Sequence, residues 1–423
     1  MQISDPIEFH EYHPAEVRRT FRLLSMDVIF YLVGLAFIDS ATVLPAFLST
    51  LTSSSIAIGA ITAIRPAGLC IPQLWTAHYL RNRRRHLGFL LKVASSSRIM
   101  VAVFAVSLFI AGPHDKTLML ISFLSMYTTF WVSEGCAGVP WTDLVAKTIP
   151  ERLRGRLFGF TQFGGGMIGL LAGVLVNRML SPEGPAYPTN YAIIMMVAAV
   201  FFSASFISLS MVHEPEGVVE EHDGDFLEYI KAIGRMLAGH AELKRFLAVQ
   251  ILISFLGLAT PFYILYAKES LGIGGGTVGI FLSVQIAGSI VASAIVGYVS
   301  DHLGPKRALL MSIIVGILAP ALALLTGGVS VWLYGLVFLA VGAVGGSTWI
   351  GLTNYLLELA DPKERRSYIG LMNSANTPTM FFPVLGGLIA DAISYRAVFL
   401  VTGAALFLAL IMALGLASKQ RTA

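Results

Sequence analysis

Mostly apolar runs of about 20 residues recur along the whole chain, each closed by a short polar stretch rich in Arg, Lys, Gly or Pro. A helix needs about 20 such residues to cross the hydrocarbon core of a bilayer. The runs predict twelve spans, near 26–50, 56–80, 87–111, 117–142, 157–179, 190–212, 245–267, 277–299, 307–327, 330–355, 367–391 and 394–417. Apolar residues within them are continuous rather than alternating, which excludes a membrane β-barrel. Open strands are excluded because unpaired backbone groups in lipid cost several kcal/mol each. The pattern predicts an all-α membrane protein of twelve transmembrane helices.

Composition agrees. Of the 423 residues, 56% are hydrophobic and only 13% charged, with mean hydropathy +0.74. Soluble domains carry about 25% charged residues, so a soluble enzyme or DNA-binding protein is excluded. The net charge of +4 is explained by topology. Alternate loops hold 23 of the 29 Lys and Arg residues, the opposite loops hold 4, and Arg65 and Arg98 lie within spans. Such a bias marks the cytoplasmic loops and places both termini in the cytoplasm, in a multi-pass protein of the cell inner membrane. A nucleic-acid partner is not expected. The polar N-terminus is not expected to be a signal peptide.

Cys70 and Cys136 both lie in apolar runs, so no disulfide framework or metal cluster is expected. Gly164–Gly166 and Gly274–Gly276 lack the Gly-Lys-Ser/Thr of a phosphate loop. No catalytic constellation, cofactor or metal site is expected, and the chain reads as a non-enzyme.

The longest polar stretch, 213–244, separates six spans from six. The expected organisation is a cytoplasmic segment 1–25, a six-helix bundle 26–212, a cytoplasmic linker 213–244, a second bundle 245–417 and a tail 418–423. The halves look like copies. Pro150 to Gly159 reads PERLRGRLFG and Asp361 to Gly370 reads DPKERRSYIG, so that Arg154 aligns with Arg365 and Gly159 with Gly370. Parallel six-span repeats with binding between them are one standard transporter plan.

Between the eighth and ninth spans stands GYVSDHLGPKR, Gly297 to Arg307. It fits the pattern G-x-x-x-D-x-x-G-x-[RK]-[RK], filled by Gly297, Asp301, Gly304, Lys306 and Arg307. With the duplicated halves and the central loop, the chain resembles the major facilitator superfamily over essentially its whole length. There are departures. The matching first-half loop has His78 or Tyr79 at the aspartate position, and Trp131 stands where many proton-driven members have arginine ahead of Gly135. The glycine signature of antiporters is missing from span five, while a related Pro383-x-x-Gly386-Gly387 occurs in span eleven.

The resemblance implies two pseudo-symmetric six-helix bundles and transport by alternating access. A small organic, amphiphilic solute and protons are the expected partners, with efflux the expected direction and the protein a monomer in the bilayer. Nutrient uptake by symport or uniport is the alternative within this class. A non-transporting sensor or assembly factor of the same fold is the alternative outside it.

Charges inside a membrane are costly and mark function by default. Asp39, Arg65, Arg98 and Glu134 are the first-half candidates for proton coupling; as Asp39–Arg65 and Arg98–Glu134 pairs they would instead only lock the bundle. The resemblance implies a cavity lined by spans one, four, seven and ten. Those spans offer Phe37, Tyr127, Phe130, Trp131, Phe255, Tyr263, Trp349 and Asn354 as wall residues. Gln285 reads as a bridge between helices. By the same resemblance Asp301 latches the cytoplasmic gate against the start of span five, at Arg154 and Arg156.

Overall fold

A computed structural model describes residues 14–80, 83–216, 240–360 and 365–417. Residues 1–13, most of the expected linker, residues 361–364 of the second-half copy and the tail from 418 lie outside the described residues.

Among the described residues the regular structure is all helical, and the protein is membrane-spanning. Every predicted span coincides with helix. Span one is Pro14–Phe37 followed by Val43–Leu51. Spans two to six are Ser55–Leu80, Leu87–Ala111, Lys116–Thr148, Glu151–Leu180 and Thr189–Ser210. Span seven comprises Ala241–Ile253, Leu256–Ala259 and Phe262–Leu271. Spans eight to ten are Gly275–Leu303, Pro305–Thr326 and Val331–Leu359. Span eleven comprises Arg365–Ala375, a 3-10 turn Thr377–Phe381 and Phe382–Ala392, and span twelve is Tyr395–Leu414.

Spans one, seven and eleven, expected as continuous helices, are broken. Spans one and seven hold the same place in their halves, so the repeat extends to the break. Proline stands at each restart, as Pro45, Pro261, and Pro378 with Pro383, where its missing N–H costs nothing. Proline alone does not decide this, since Pro66, Pro72, Pro140 and Pro320 sit inside unbroken helices. Helix also begins at Pro14, twelve residues before the predicted start of span one, which moves the polar N-terminal part of that span deeper into the bundle.

The core shows how the halves meet. On the side bearing the Arg/Lys-rich loops, each half has its own core, around Leu24, Leu90 and Leu144 in the first and around Phe246, Tyr355 and Met372 in the second. On the opposite side one continuous core joins them, with Phe47 and Phe104 of the first half and Tyr263 and Phe281 of the second.

Close approach there needs glycine. A Cβ on Gly173 of span five would collide with Ser283 Oγ and the Gly279 carbonyl of span eight. The inner ends of the same two helices stand clear, with nothing within 4 Å of a Cβ built on Gly155, Gly159 or Gly297. The halves are therefore closed on the side away from the basic loops and apart on the basic side.

Candidate functional site

Asp39 fills the break in span one. Its Oδ1 accepts the backbone N–H of Ala41 at 2.9 Å and of Thr42 at 2.8 Å, and the Thr42 hydroxyl at 2.7 Å. Its Oδ2 accepts from Gln285 Nε2 of span eight, in the other half, at 3.0 Å. Gln285 thus bridges the halves.

Arg65 is not the partner of Asp39. It donates to Ser40 Oγ at 2.5 Å and lies 4.8 Å over the Trp131 ring. The expected Asp39–Arg65 pair gives way to local donors because the broken helix exposes N–H groups within three residues of a short side chain, which reach it without ordering a long one.

The Arg98–Glu134 pair does form, at 2.5 Å, with side chains only 9% and 11% exposed. Ser97 supports it, accepting from Arg98 at 2.6 Å and donating to Glu134 at 3.3 Å. Arg98 Nε is buried with no acceptor among the described residues.

A further acid escaped the sequence reading. Asp27 is 4% exposed and accepts from Ser205 Oγ at 2.6 Å and Trp141 Nε1 at 3.1 Å. On the predicted boundary it stood at the edge of its span, where a charge is cheap; the helical run back to Pro14 puts it inside. Continuing the helical pattern through the polar residues before position 26 was the signal that could have found it.

Asp27, Arg98 and Glu134, with Tyr31 and Trp141, line a cavity of about 300 Å³ between spans one, two, three, four and six, wholly within the first half. A second cavity of about 210 Å³ lies where spans one, five, eight and ten converge, and Asp39, Gln162, Gln285 and Ser289 line it.

The eight predicted wall residues line neither cavity. Phe37, Tyr127, Phe130, Trp131 and Tyr263 are buried in the common core. Phe37 stacks on Phe201, Phe130 meets Phe202 and Tyr263 stacks on Phe399. Their predicted role as walls is corrected for this arrangement: aromatic rings gain more from dispersion against one another than from facing a polar path. Phe255 packs on Phe382, Asn354 donates to Ser300 Oγ at 2.8 Å, and Trp349 is exposed.

At the predicted gate, Arg154 donates to the carbonyls of Ala146 at 2.8 Å and Ile149 at 3.0 Å, the free C-terminal carbonyls of span four. Arg156, Asp301 and Arg307 are exposed. Lys306 caps the end of span twelve through the carbonyls of Leu414 and Leu416, and Gly304 makes the turn at φ +97° that a side chain would strain.

On the same basic side Glu214, 4% exposed, accepts the N–H groups of His86 and Leu87 at the start of span three and binds Lys147 Nζ at 3.0 Å. Lys147 also binds Asp143 at 2.6 Å, so its ammonium occupies the space among His86, Asp143 and Glu214.

The opposite side is tied across the halves. Lys268 donates to the Ala46 carbonyl at 3.1 Å and Ser49 Oγ at 2.9 Å. Asp391 accepts from Ser54 Oγ at 3.2 Å and the N–H groups of Ser55 at 2.9 Å and Ile56 at 3.1 Å. Asn177 Nδ2 donates to the Gly276 carbonyl at 2.8 Å.

Residues 246–422 match the family model of the Major Facilitator Superfamily. The multidrug resistance protein MdtG of Dickeya zeae (strain Ech586) is 31% identical over 158 residues, 36% of this chain and 38% of that protein. MdtG of Enterobacter lignolyticus (strain SCF1) is 24% identical over 263 residues, 61% of each chain. The chain therefore spans 38% and 61% of these relatives' lengths, under two thirds of each. Among solved structures, a point mutant of the nucleoside transporter NupG superposes with TM-score 0.68 at 12% identity, covering 95% of this chain and all of that one. A bacterial homologue of the iron transporter ferroportin, in its inward-facing state, gives 0.62 at 16% identity, covering 95% and 99%. In its fold, and over residues 246–422 in its sequence, the chain is similar to the major facilitator superfamily.

Proposed function

We propose that this protein is a secondary transporter that moves a small amphiphilic organic solute across the cell membrane by alternating access, coupled to protons and in the direction of efflux. The basic side is the cytoplasmic side, by the loop bias, which makes the described arrangement inward-facing. One observation carries the reading: the halves share a core and cross-half bonds on one side and keep separate cores on the other. That asymmetry is one of the two arrangements that alternating access needs, and it has no purpose in a rigid scaffold. The relatives' name, multidrug resistance protein, supports efflux of amphiphiles. Buried carboxylates in span one and span four support coupling, because burial opposes charge while nearby cations and hydrogen bonds favour it, so a solute can tip the balance.

The test is purified protein in proteoliposomes with an imposed pH gradient and a panel of amphiphilic and hydrophilic solutes. Gradient-driven movement of an amphiphile against the proton flux is the expected outcome. Movement of a sugar along the proton flux would establish uptake instead. No gradient-dependent flux of any solute would leave a sensor or assembly role.

A further inference from the structure

The basic-side ends of spans two and three carry a cluster that the proposed transport does not use. Trp75 and Tyr79 stand one turn apart at the end of Ser55–Leu80, and their rings stack at 5.1 Å. Phe89, in the first turn of Leu87–Ala111, meets Tyr79 at 5.3 Å and Trp75 at 6.3 Å. Trp75 is 56% exposed and Tyr79 39%, and Ile71 continues the exposed stripe one turn deeper. Nothing lies within 4 Å of a Cβ built on Gly88, so space stays open beside Phe89. An aromatic pair at the end of a span is ordinary as an anchor at the membrane–water boundary. The cations beside this one go further.

Arg83 folds back over the rings. Its guanidinium lies 4.3 Å over Tyr79, and Nη2 donates to the Tyr79 hydroxyl at 2.7 Å. Among the described residues no carboxylate meets it, although its neighbours Arg84 and Arg85 share Glu216, at 3.8 and 3.3 Å. Lys92, one turn along span three from Phe89, is likewise exposed with no carboxylate partner among the described residues.

The second half shows that the fold does not force this arrangement. Tyr298, His302 and Lys306 repeat the spacing of Trp75, Tyr79 and Arg83, and Tyr298 stacks on His302 at 4.1 Å. There the cation turns away, and Lys306 donates to the carbonyls of Leu414 and Leu416. In the first half it stays at the surface over a ring, with N–H groups left for another acceptor.

An exposed apolar floor at the end of a membrane span, topped by two unpaired cations, fits an amphiphile with an anionic head. An arginine stacked on an aromatic face keeps its fork of donors for phosphate oxygens. The anionic lipids of the cytoplasmic leaflet supply that phosphate.

We infer that this groove holds one anionic phospholipid, with its phosphate on Arg83 and Lys92 and an acyl chain along Ile71, Trp75 and Phe89. The occupant is a lipid of the bilayer rather than the transported solute, so the inference stands or falls apart from the transporter reading.

The experiment reconstitutes the full chain in phosphatidylcholine vesicles with phosphatidylglycerol as the minor component. Bromine is carried on the acyl chains of one lipid or the other, and tryptophan fluorescence is read. Trp75→Phe isolates the signal of Trp75 among the five tryptophans. Brominated phosphatidylglycerol should quench Trp75 more than its share of the lipid predicts. Arg83→Gln should cut that preference about fivefold, the worth of one cation near an anionic surface, and salt should weaken it. Tyr298→Ala, in the second half, should leave it as it is. Quenching in proportion to lipid share, or a preference unchanged in Arg83→Gln, overturns the inference. So does displacement of the lipid by dissolved glycerol phosphate, which would mark a free-phosphate site instead. Because Arg83 is exposed, Arg83→Gln should keep the wild-type thermal midpoint in lipid-free detergent. A lowered midpoint there would make Arg83 a strut of the fold and overturn the lipid role as well.

Discussion

Asp391, in the last turn of span eleven, accepts the N–H of Ser55 at 2.9 Å, the residue that opens span two in the other half. Lys268 of span seven binds the Ala46 carbonyl near the end of Val43–Leu51, at 3.1 Å. Two second-half charges therefore grip a single first-half turn, residues 52–54, from both ends. The signs suit the helix ends they meet: an anion at an N-terminus and a cation at a C-terminus, each worth about 0.3–1 kcal/mol at exposed positions.

This grip sets a first prediction. Asp391→Ala removes three accepted hydrogen bonds, and losing a helix cap costs about 0.5–2 kcal/mol. Spin-label distances across the outer ends of spans five and eight should show the outward-facing population rising by on the order of tenfold for about 1.4 kcal/mol. An unchanged distance distribution would mean that the turn is gripped by packing alone.

A second prediction uses the glycine contact. Gly173→Leu places a side chain where Ser283 and the Gly279 carbonyl already stand. Span five should be wedged from span eight, and cysteine labelling near Asn177 should increase. Gly159→Leu, at an open position, is the matched control and should leave labelling as it is.

The Arg98–Glu134 pair should be costly to break and cheap to remove. Glu134→Ala strands a buried guanidinium, at about 3–5 kcal/mol. The double variant Arg98→Met with Glu134→Leu should recover most of that loss. Thermal midpoints of the purified proteins decide it: if both variants are equally unstable, the pair's neighbours rather than its charges carry the stability.

At the break in span one, Asp39→Ala strands the N–H groups of Ala41 and Thr42 and should lower stability by about 0.5–2 kcal/mol. Asp39→Asn keeps an acceptor for them, and the Gln285 amide can turn to accept from the new NH₂. That variant should fold normally. Equal losses of thermal midpoint in the two purified variants would mean that the carboxylate's charge, rather than its accepting oxygens, holds the break.

Twelve spans, the duplicated halves and the charged face of the molecule were legible in the sequence alone. Each depends on chemistry summed along a stretch of chain: twenty apolar residues need lipid, and 23 of 29 basic residues choose one side. Of the two ion pairs the sequence offered, Arg98–Glu134 forms and Asp39–Arg65 does not, so equal depth named the candidates without choosing between them. The breaks in spans one, seven and eleven were not, because the same proline that restarts one helix is tolerated inside another. The partner of Asp39 was decided by N–H groups that exist as donors only once the helix has broken. Asp27 became a buried acid because its helix starts early, and its partners Trp141 and Ser205 lie 114 and 178 residues away. Composition sets how much of a chain enters the membrane, but which buried charge finds a neighbour depends on how the helices pack, and that exists only in three dimensions.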